Sequence, residues 1–434
     1  VPPGPPAPSK PSAEARARLD LRWRLAHLLI APHRLAFFLG LLVLAASSLW
    51  WTLVQAVRAT GAAPMEPALP AALVHGALMV FGFFPLFFSG FLFTAGPKWL
   101  RVPPWPVRSL LPPWILLALG WLAWLLGAQW HPALALAGTF LAAFGMAWVS
   151  GLFWRLLGQS QVEDRVHARL LAAAFAVGTV CVAGLALALA LGADRGARRF
   201  VLTGLWGLDA MVFVTVAHRM LPFFSLPSDH GAGGDNPWGT LGLLAGAATF
   251  EALAVWMEAV VPYGSPWDLG WGLLHGWVEC AVGTVLLWRA WGWARRQSLR
   301  NRLLRMFFLG FVWLGLAFLL HGASRWLALA GAPQWSLGAT HALGMGCFAS
   351  LMLAMVTRVS AGHSGRAQVA DATVWALFGL LQAAVVLRLM AVPAESAAPS
   401  LLLLSAVLWV AAVLPWAGRL GSWYGRLRPD GRAG

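Results

Sequence analysis

Four of the eleven histidines fall inside long apolar runs, where a polar side chain has to be accounted for: His75, His275, His321 and His341. Neutral imidazole is a common ligand of heme iron and copper, and polar groups placed in lipid tend to mark ligands or proton paths. A hydrogen bond between helices accounts equally well for any single one of them. Met79 follows His75 by four residues and Met345 follows His341 by four, so one helical turn would set a thioether, a soft copper ligand, beside each imidazole. Filling apolar space is the commoner role of methionine. Arg325, four residues after His321, suits either a heme propionate or the membrane surface. The acids Asp209, Glu251, Glu258 and Glu279 lie in apolar runs as well. Glu258 and Glu279 are the candidates for proton transfer, although Glu279, one turn from His275, also suits a structural hydrogen bond.

The elements that hold these residues follow from composition. The chain has 434 residues, 59% hydrophobic and 11% charged, with a mean hydropathy of +0.71; a soluble domain of this size does not hide so much apolar surface from water. Apolar runs of about 20 residues without strict alternation are helices that cross a bilayer. The expected fold is all-α and polytopic, with about twelve transmembrane helices: 36–56, 71–95, 112–129, 132–154, 168–192, 200–220, 239–261, 268–290, 303–330, 335–358, 371–391 and 400–418. Residues 1–35 read as a disordered basic segment, 36–418 as the membrane domain and 419–434 as a basic tail. No internal repeat is visible. Cys181, Cys280 and Cys347 lie in apolar runs without CxxC spacing, so the cysteines indicate neither a disulfide framework nor a zinc site.

Lys and Arg orient the chain. The formal charge of +15 sits in short clusters between apolar runs rather than along one soluble face, so it indicates topology and not nucleic acid. With both termini in the cytoplasm, about 25 of the 31 basic residues lie inside. At about 1.5 Å of rise per residue, all four histidines then fall within roughly 14 Å of the outer boundary. Four at similar depth favour a shared metal or heme site near the periplasmic side. Depth allows His75 to pair with His341, leaving His275 and His321 for a second site, and allows His75 with His275 or His341 with His321 almost as well. His218 lies at the inner end of its helix and reads as structural or regulatory, and His131 as an outer-loop residue.

One segment is distinctive. His341-Ala-Leu-Gly-Met-Gly346 leads into Met355-Val-Thr-Arg-Val-Ser-Ala-Gly-His-Ser-Gly-Arg366, which closely resembles the HAL-x-x-G helix and M-T-R-x-S-x-G-H-T-G-R motif of the NnrS family. His75-Gly-Ala-Leu-Met-Val-Phe-Gly-Phe83 with Ser89-Gly-Phe-Leu-Phe-Thr-Ala-Gly-Pro-Lys-Trp99, and His218-Arg-Met-Leu-Pro-Phe-Phe-Ser225, are similar to two further family segments in the same order. The family's HAHEM reads His75-Gly-Ala-Leu-Met79 here, so its second His and its Glu are Ala77 and Leu78, and another family His is Phe308. A ligand set that relies on those positions does not transfer.

The resemblance implies a heme- and copper-containing protein of the bacterial inner membrane linked to nitric oxide and nitrosative stress. The expectation is therefore one or two b-type hemes, with copper as a second metal, acting on NO or another diatomic. Two alternatives stay open: the catalytic membrane subunit of an NO-reducing or quinol-oxidising oxidoreductase, served by quinol or a c-type cytochrome, and a twelve-helix secondary transporter. The transporter reading lacks a major-facilitator G-x-x-x-D-R pattern in its first cytoplasmic hairpin.

Overall fold

The computed structural model describes residues 22–62, 67–220, 237–262, 264–296, 299–331 and 335–430. Among them there is no strand, and twelve long helices follow one another along the chain. They are α1 (Pro32–Thr60), α2 (Ala71–Leu100), α3 (Val107–Trp130), α4 (Pro132–Gly158), α5 (Val166–Ala190) and α6 (Asp194–Met220), then α7 (Pro237–Val260), α8 (Pro266–Arg296), α9 (Arg302–Leu329), α10 (Ser336–His363), α11 (Ala372–Met390) and α12 (Ala398–Tyr424). Eleven are long and apolar enough to cross a bilayer. The twelfth is α8, which carries Asp268, Glu279 and Arg289 and packs along α9. The protein is an all-α multi-pass membrane protein.

Local chemistry sets the helix ends. Pro32 and Pro132 occupy first-turn positions, where a missing N–H costs nothing. Asn301 and Asp371 cap α9 and α11 by accepting from the backbone N–H of Leu303 and Val374, each at 2.9 Å. His131 does the same for α4, accepting from Ala133 N–H at 3.2 Å, so this loop residue has a capping role.

The three most enclosed helices are α2, α6 and α10. Outside them α3 packs on α4 and α4 on α5, α8 on α9, α11 on α12, and α12 closes back on α1. The sequence shows no repeat, yet every fourth helix is central. Each central helix also contains a π-helical stretch: Leu78–Gly82 in α2, Leu205–Ala210 in α6 and Ala342–Ala349 in α10. Such widened turns inside α-helices occur most often at functional sites.

Both ends of the described chain meet on one face. Residues 22–31, expected to belong to a disordered leader, instead pass through a 3-10 turn, Leu25–Ile30, and dock on the end of α12. Arg24 N–H donates to Gly425 O at 2.8 Å, and Trp23 Nε1 donates to Gly421 O at 3.0 Å. The last helix runs to Tyr424, six residues beyond the expected end at 418 (424 − 418). Buried Arg34 ties the same corner by donating to Tyr424 O and Arg426 O at 3.1 and 2.8 Å.

Between α8 and α9 the backbones nearly touch. A Cβ on Gly283 would lie 2.8 Å from Gly315 O, and one on Gly322 2.7 Å from Gly276 O. Small residues at membrane helix crossings permit this approach. It brings the polar residues of α8 within reach of Arg325 on α9.

Candidate metal and heme sites

His75 and His341 come together. His75 is the fifth residue of α2 and His341 the sixth of α10, each just before or at the start of the π stretch of its helix. Their ring centroids are 6.3 Å apart and their planes 14° apart. Leu337 O holds His341 Nδ1 at 2.6 Å, which leaves Nε2 as its free nitrogen. His75 Nδ1 is buried with no hydrogen-bond partner. Trp51 of α1 stacks on His75, centroids 4.0 Å apart and planes 10° apart, and Arg58 lies over Trp51 at 5.7 Å. The charge of Arg388 on α11 reaches both imidazoles, and that of Arg58 reaches His75. Met79 and Met345 lie within π turns.

His275 belongs to a second, separate cluster. Its Nε2 lies 3.1 Å from a Glu251 carboxylate oxygen and 3.4 Å from Glu279 Oε1, and its Nδ1 lies 3.7 Å from Glu258 Oε1. Arg325 closes the group, donating to Glu279 Oε2 at 2.7 Å and to Glu258 Oε1 at 2.6 Å. The guanidinium proposed for a propionate is thus engaged by two carboxylates. Glu251, His275 and Glu279 are buried and offer ligand atoms within 4.8 Å of one another. His321 is outside that trio; it faces Trp206 of the α6 π stretch, centroids 5.9 Å apart, and its buried Nε2 has no hydrogen-bond partner. The structure therefore sets His275 with two glutamates rather than with His321. The signal in the sequence was approximate: Glu251 lies about ten residues before the expected helix end at 261 and His275 about seven after the expected start at 268, whereas the observed ends of α7 and α8 put each nine residues in, at equal depth across a hairpin. Asp209 lies apart, fully buried in the α6 π stretch, neither carboxylate oxygen hydrogen-bonded.

The face on which the two ends of the described chain meet holds two more histidine pairs. His33 and His363 have centroids 4.3 Å apart, and His167 Nε2 and His218 Nδ1 are 2.9 Å apart. Around His363 the 355–366 segment fastens α10 to α12. Trp416 Nε1 donates to Thr357 Oγ1 at 2.9 Å, Ser360 and Tyr424 hydroxyls are 2.6 Å apart, and Arg366 lies over Trp423 at 4.6 Å. Arg428 donates to Gly362 O at 3.2 Å.

The two ends of α10 thus carry one distinctive motif, with His341 near its start and a helix-locking segment at its end. A family model described as NnrS protein matches residues 27–428. The chain belongs to the NnrS family. No curated protein matches it. Of the NnrS-like segment starting at His218, residues 221–225 lie outside the described residues. The two departures in α2, Ala77 and Leu78, are buried at the edge of its π stretch.

Proposed function

We propose that this NnrS-family chain is a heme-binding protein of the bacterial inner membrane that acts in nitric oxide and nitrogen-oxide metabolism, with His75 and His341 as axial ligands of a b-type heme near the periplasmic side. The observation that carries this reading is the near-parallel pair of imidazoles 6.3 Å apart on two central helices. Two imidazole nitrogens about 2 Å from one metal put ring centroids at a similar separation. The donor set fits heme: His341 is oriented by Leu337 O, His75 keeps an unpartnered nitrogen, and a Cβ on Gly344, three residues from His341, would meet nothing within 4 Å.

Held by His75 and His341, a heme would supply electron transfer. This chain's own residues do the rest. Leu337 O orients His341, Trp51 covers one face of His75, and Arg58 and Arg388 offer positive charge at the outer end, where propionates need partners. A wholly apolar cavity of about 40 Å³ between α1, α2, α6 and α10, lined by Phe37, Phe87, Phe213 and Met352 among others, suits a small apolar gas such as NO, since apolar cavities stay dry and admit such guests.

A second reading makes the chain an NO-reducing or quinol-oxidising enzyme. It is favoured by the gradient from half-exposed Glu258 through His275 to Glu279, which is fully buried. Turnover of NO with a quinol, or co-purification of a c-type cytochrome, separates the two readings. An optical spectrum and metal analysis of detergent-purified protein test the first. A Soret band with the reduced bands of a low-spin b-type heme supports it, and a colourless protein overturns it.

A further inference from the structure

We infer that Glu251, His275 and Glu279 bind a divalent first-row cation of the Zn²⁺, Fe²⁺ or Mn²⁺ class, a site distinct from the His75–His341 pair and independent of the heme reading.

Geometry is the first ground. The donor atoms come from two adjacent helices, α7 and α8. His275 Nε2 lies 3.1 Å from a Glu251 oxygen and 3.4 Å from Glu279 Oε1, and all three residues offer ligand atoms within 4.8 Å of one another. Ligands about 2.0–2.2 Å from a common metal in tetrahedral or octahedral arrangement are separated by roughly 3.0–3.5 Å. Burial is the second ground. Glu279 is fully buried, and its Oε1, which faces His275, has no hydrogen-bond partner. An ionised buried oxygen left without a donor is costly, and a cation is the partner that this position lacks.

Charge is the third. Glu251, Glu258 and Glu279 bring three negative charges when ionised, Arg325 brings one positive, and neutral His275 brings none, which leaves −2 in a bilayer-embedded cluster. One dication balances that sum. The surrounding residues resemble a second coordination layer. Arg325 fixes Glu279 through Oε2 at 2.7 Å and leaves Oε1 pointing at His275, while Glu258 lies 3.7 Å from His275 Nδ1, on the side of the ring away from the site. A carboxylate behind a ligating histidine orients the ring and raises its basicity. Two carboxylates and one imidazole, with no sulfur, suit a hard or borderline dication rather than Cu(I). Three protein ligands also leave coordination positions open, as catalytic rather than structural sites do.

The test uses the full-length, tag-free protein in detergent, stripped with a chelator and titrated with Zn²⁺ against a competing dye, with Mn²⁺ followed separately by electron paramagnetic resonance. About one high-affinity dication per chain is expected. Glu251→Gln, Glu279→Gln and His275→Gln should abolish it, with protein levels in the membrane and the Soret band as checks of folding. Glu258→Gln, at a half-exposed position, should weaken binding by roughly 10-fold, in the range for a group behind a ligand. Absence of stoichiometric binding in the unaltered protein, or affinity unchanged in Glu251→Gln and Glu279→Gln, would overturn the site. If those variants fail to accumulate, unchanged affinity in Glu258→Gln overturns it instead. The heme reading is scored on the optical spectrum of the same sample, so either can fail without the other.

Discussion

His75 of α2 and His341 of α10 have ring centroids 6.3 Å apart and planes within 14°, and Trp51 stacks on His75 with centroids 4.0 Å apart. Each imidazole adjoins the π stretch of its helix. A π turn inserts a residue and rotates everything beyond it, so the halves of α2 and α10 that run inward are free to pack on their own terms while the outer turns keep the two rings opposed.

Single replacements test this pair. His75→Ala and His341→Ala should each remove the same low-spin heme signal from the optical spectrum, because an iron held by two imidazoles loses its spectroscopic identity when either leaves. His275→Ala and His321→Ala should retain it. Loss of the signal in only one of the first two variants would break the pairing.

Arg388 and Arg58 are the cations whose charge acts on His75, and neither was singled out in the sequence. Removing a positive charge beside a heme favours the ferric state, which carries the greater positive charge. Arg388→Gln and Arg58→Gln should therefore lower the midpoint potential in a redox titration while the axial ligation, read from the spectrum, stays intact. An unchanged or raised potential would overturn a stabilising action of these cations on the reduced heme.

Topology is tested independently of any cofactor. Reporter fusions after Arg302 and after Arg366 should report cytoplasm, and one at Ala332 should report periplasm, since Arg289, Arg295, Arg296, Arg300, Arg302 and Arg305 cluster between the apolar parts of α8 and α9. Reversed signals would place His75 and His341 on the inner side.

Much of the fold was legible because bilayer thickness fixes helix length. The level of each histidine along its helix followed from the helix bounds. Depth gives level but not azimuth, so the sequence could not choose among histidines at one level, nor see that Arg325 turns toward Glu258 and Glu279. The π stretches were also invisible. They lie in the three most enclosed helices, and two of them contain Met79 and Met345. The close crossing of Gly283 with Gly315 and of Gly322 with Gly276 depends on which glycines face one another, which only the packing decides.

His363 belongs to the most distinctive stretch of sequence, yet it lies beside His33 at the other end of α10 from His341. Its neighbours fasten α10 to α12 through Thr357, Ser360 and Arg366. His363→Ala should leave the low-spin spectrum unchanged and lower thermal stability. Loss of the Soret band at normal membrane protein levels would move the heme, or a second one, to the inner face.

The Asp371–Arg419 pair gives a pH-dependent test outside the membrane. Asp371 caps α11 by accepting from Val374 N–H at 2.9 Å and accepts from Arg419 Nη1 at 3.0 Å. The hydrogen bond from Arg419 holds its carboxyl below the ordinary value of 3.8, against a smaller opposing effect of burial. A carboxyl depressed in the folded state stabilises fully above its unfolded pKa of about 3.9, and that contribution is lost as pH falls through the folded value. Asp371→Asn keeps a capping oxygen and removes the charge, so it isolates the ion pair, while Asp371→Ala removes the cap as well and should cost roughly 1 kcal/mol more. The pair is partly exposed, so the Asn variant should lose only about 0.5–1 kcal/mol. Apparent melting temperatures in detergent should show a constant gap between the natural protein and Asp371→Asn from pH 7 down to about 5, then a gap that closes toward pH 3. A gap that widens on acidification would mean that the protonated carboxyl, and not the carboxylate, holds Arg419 and the start of α11.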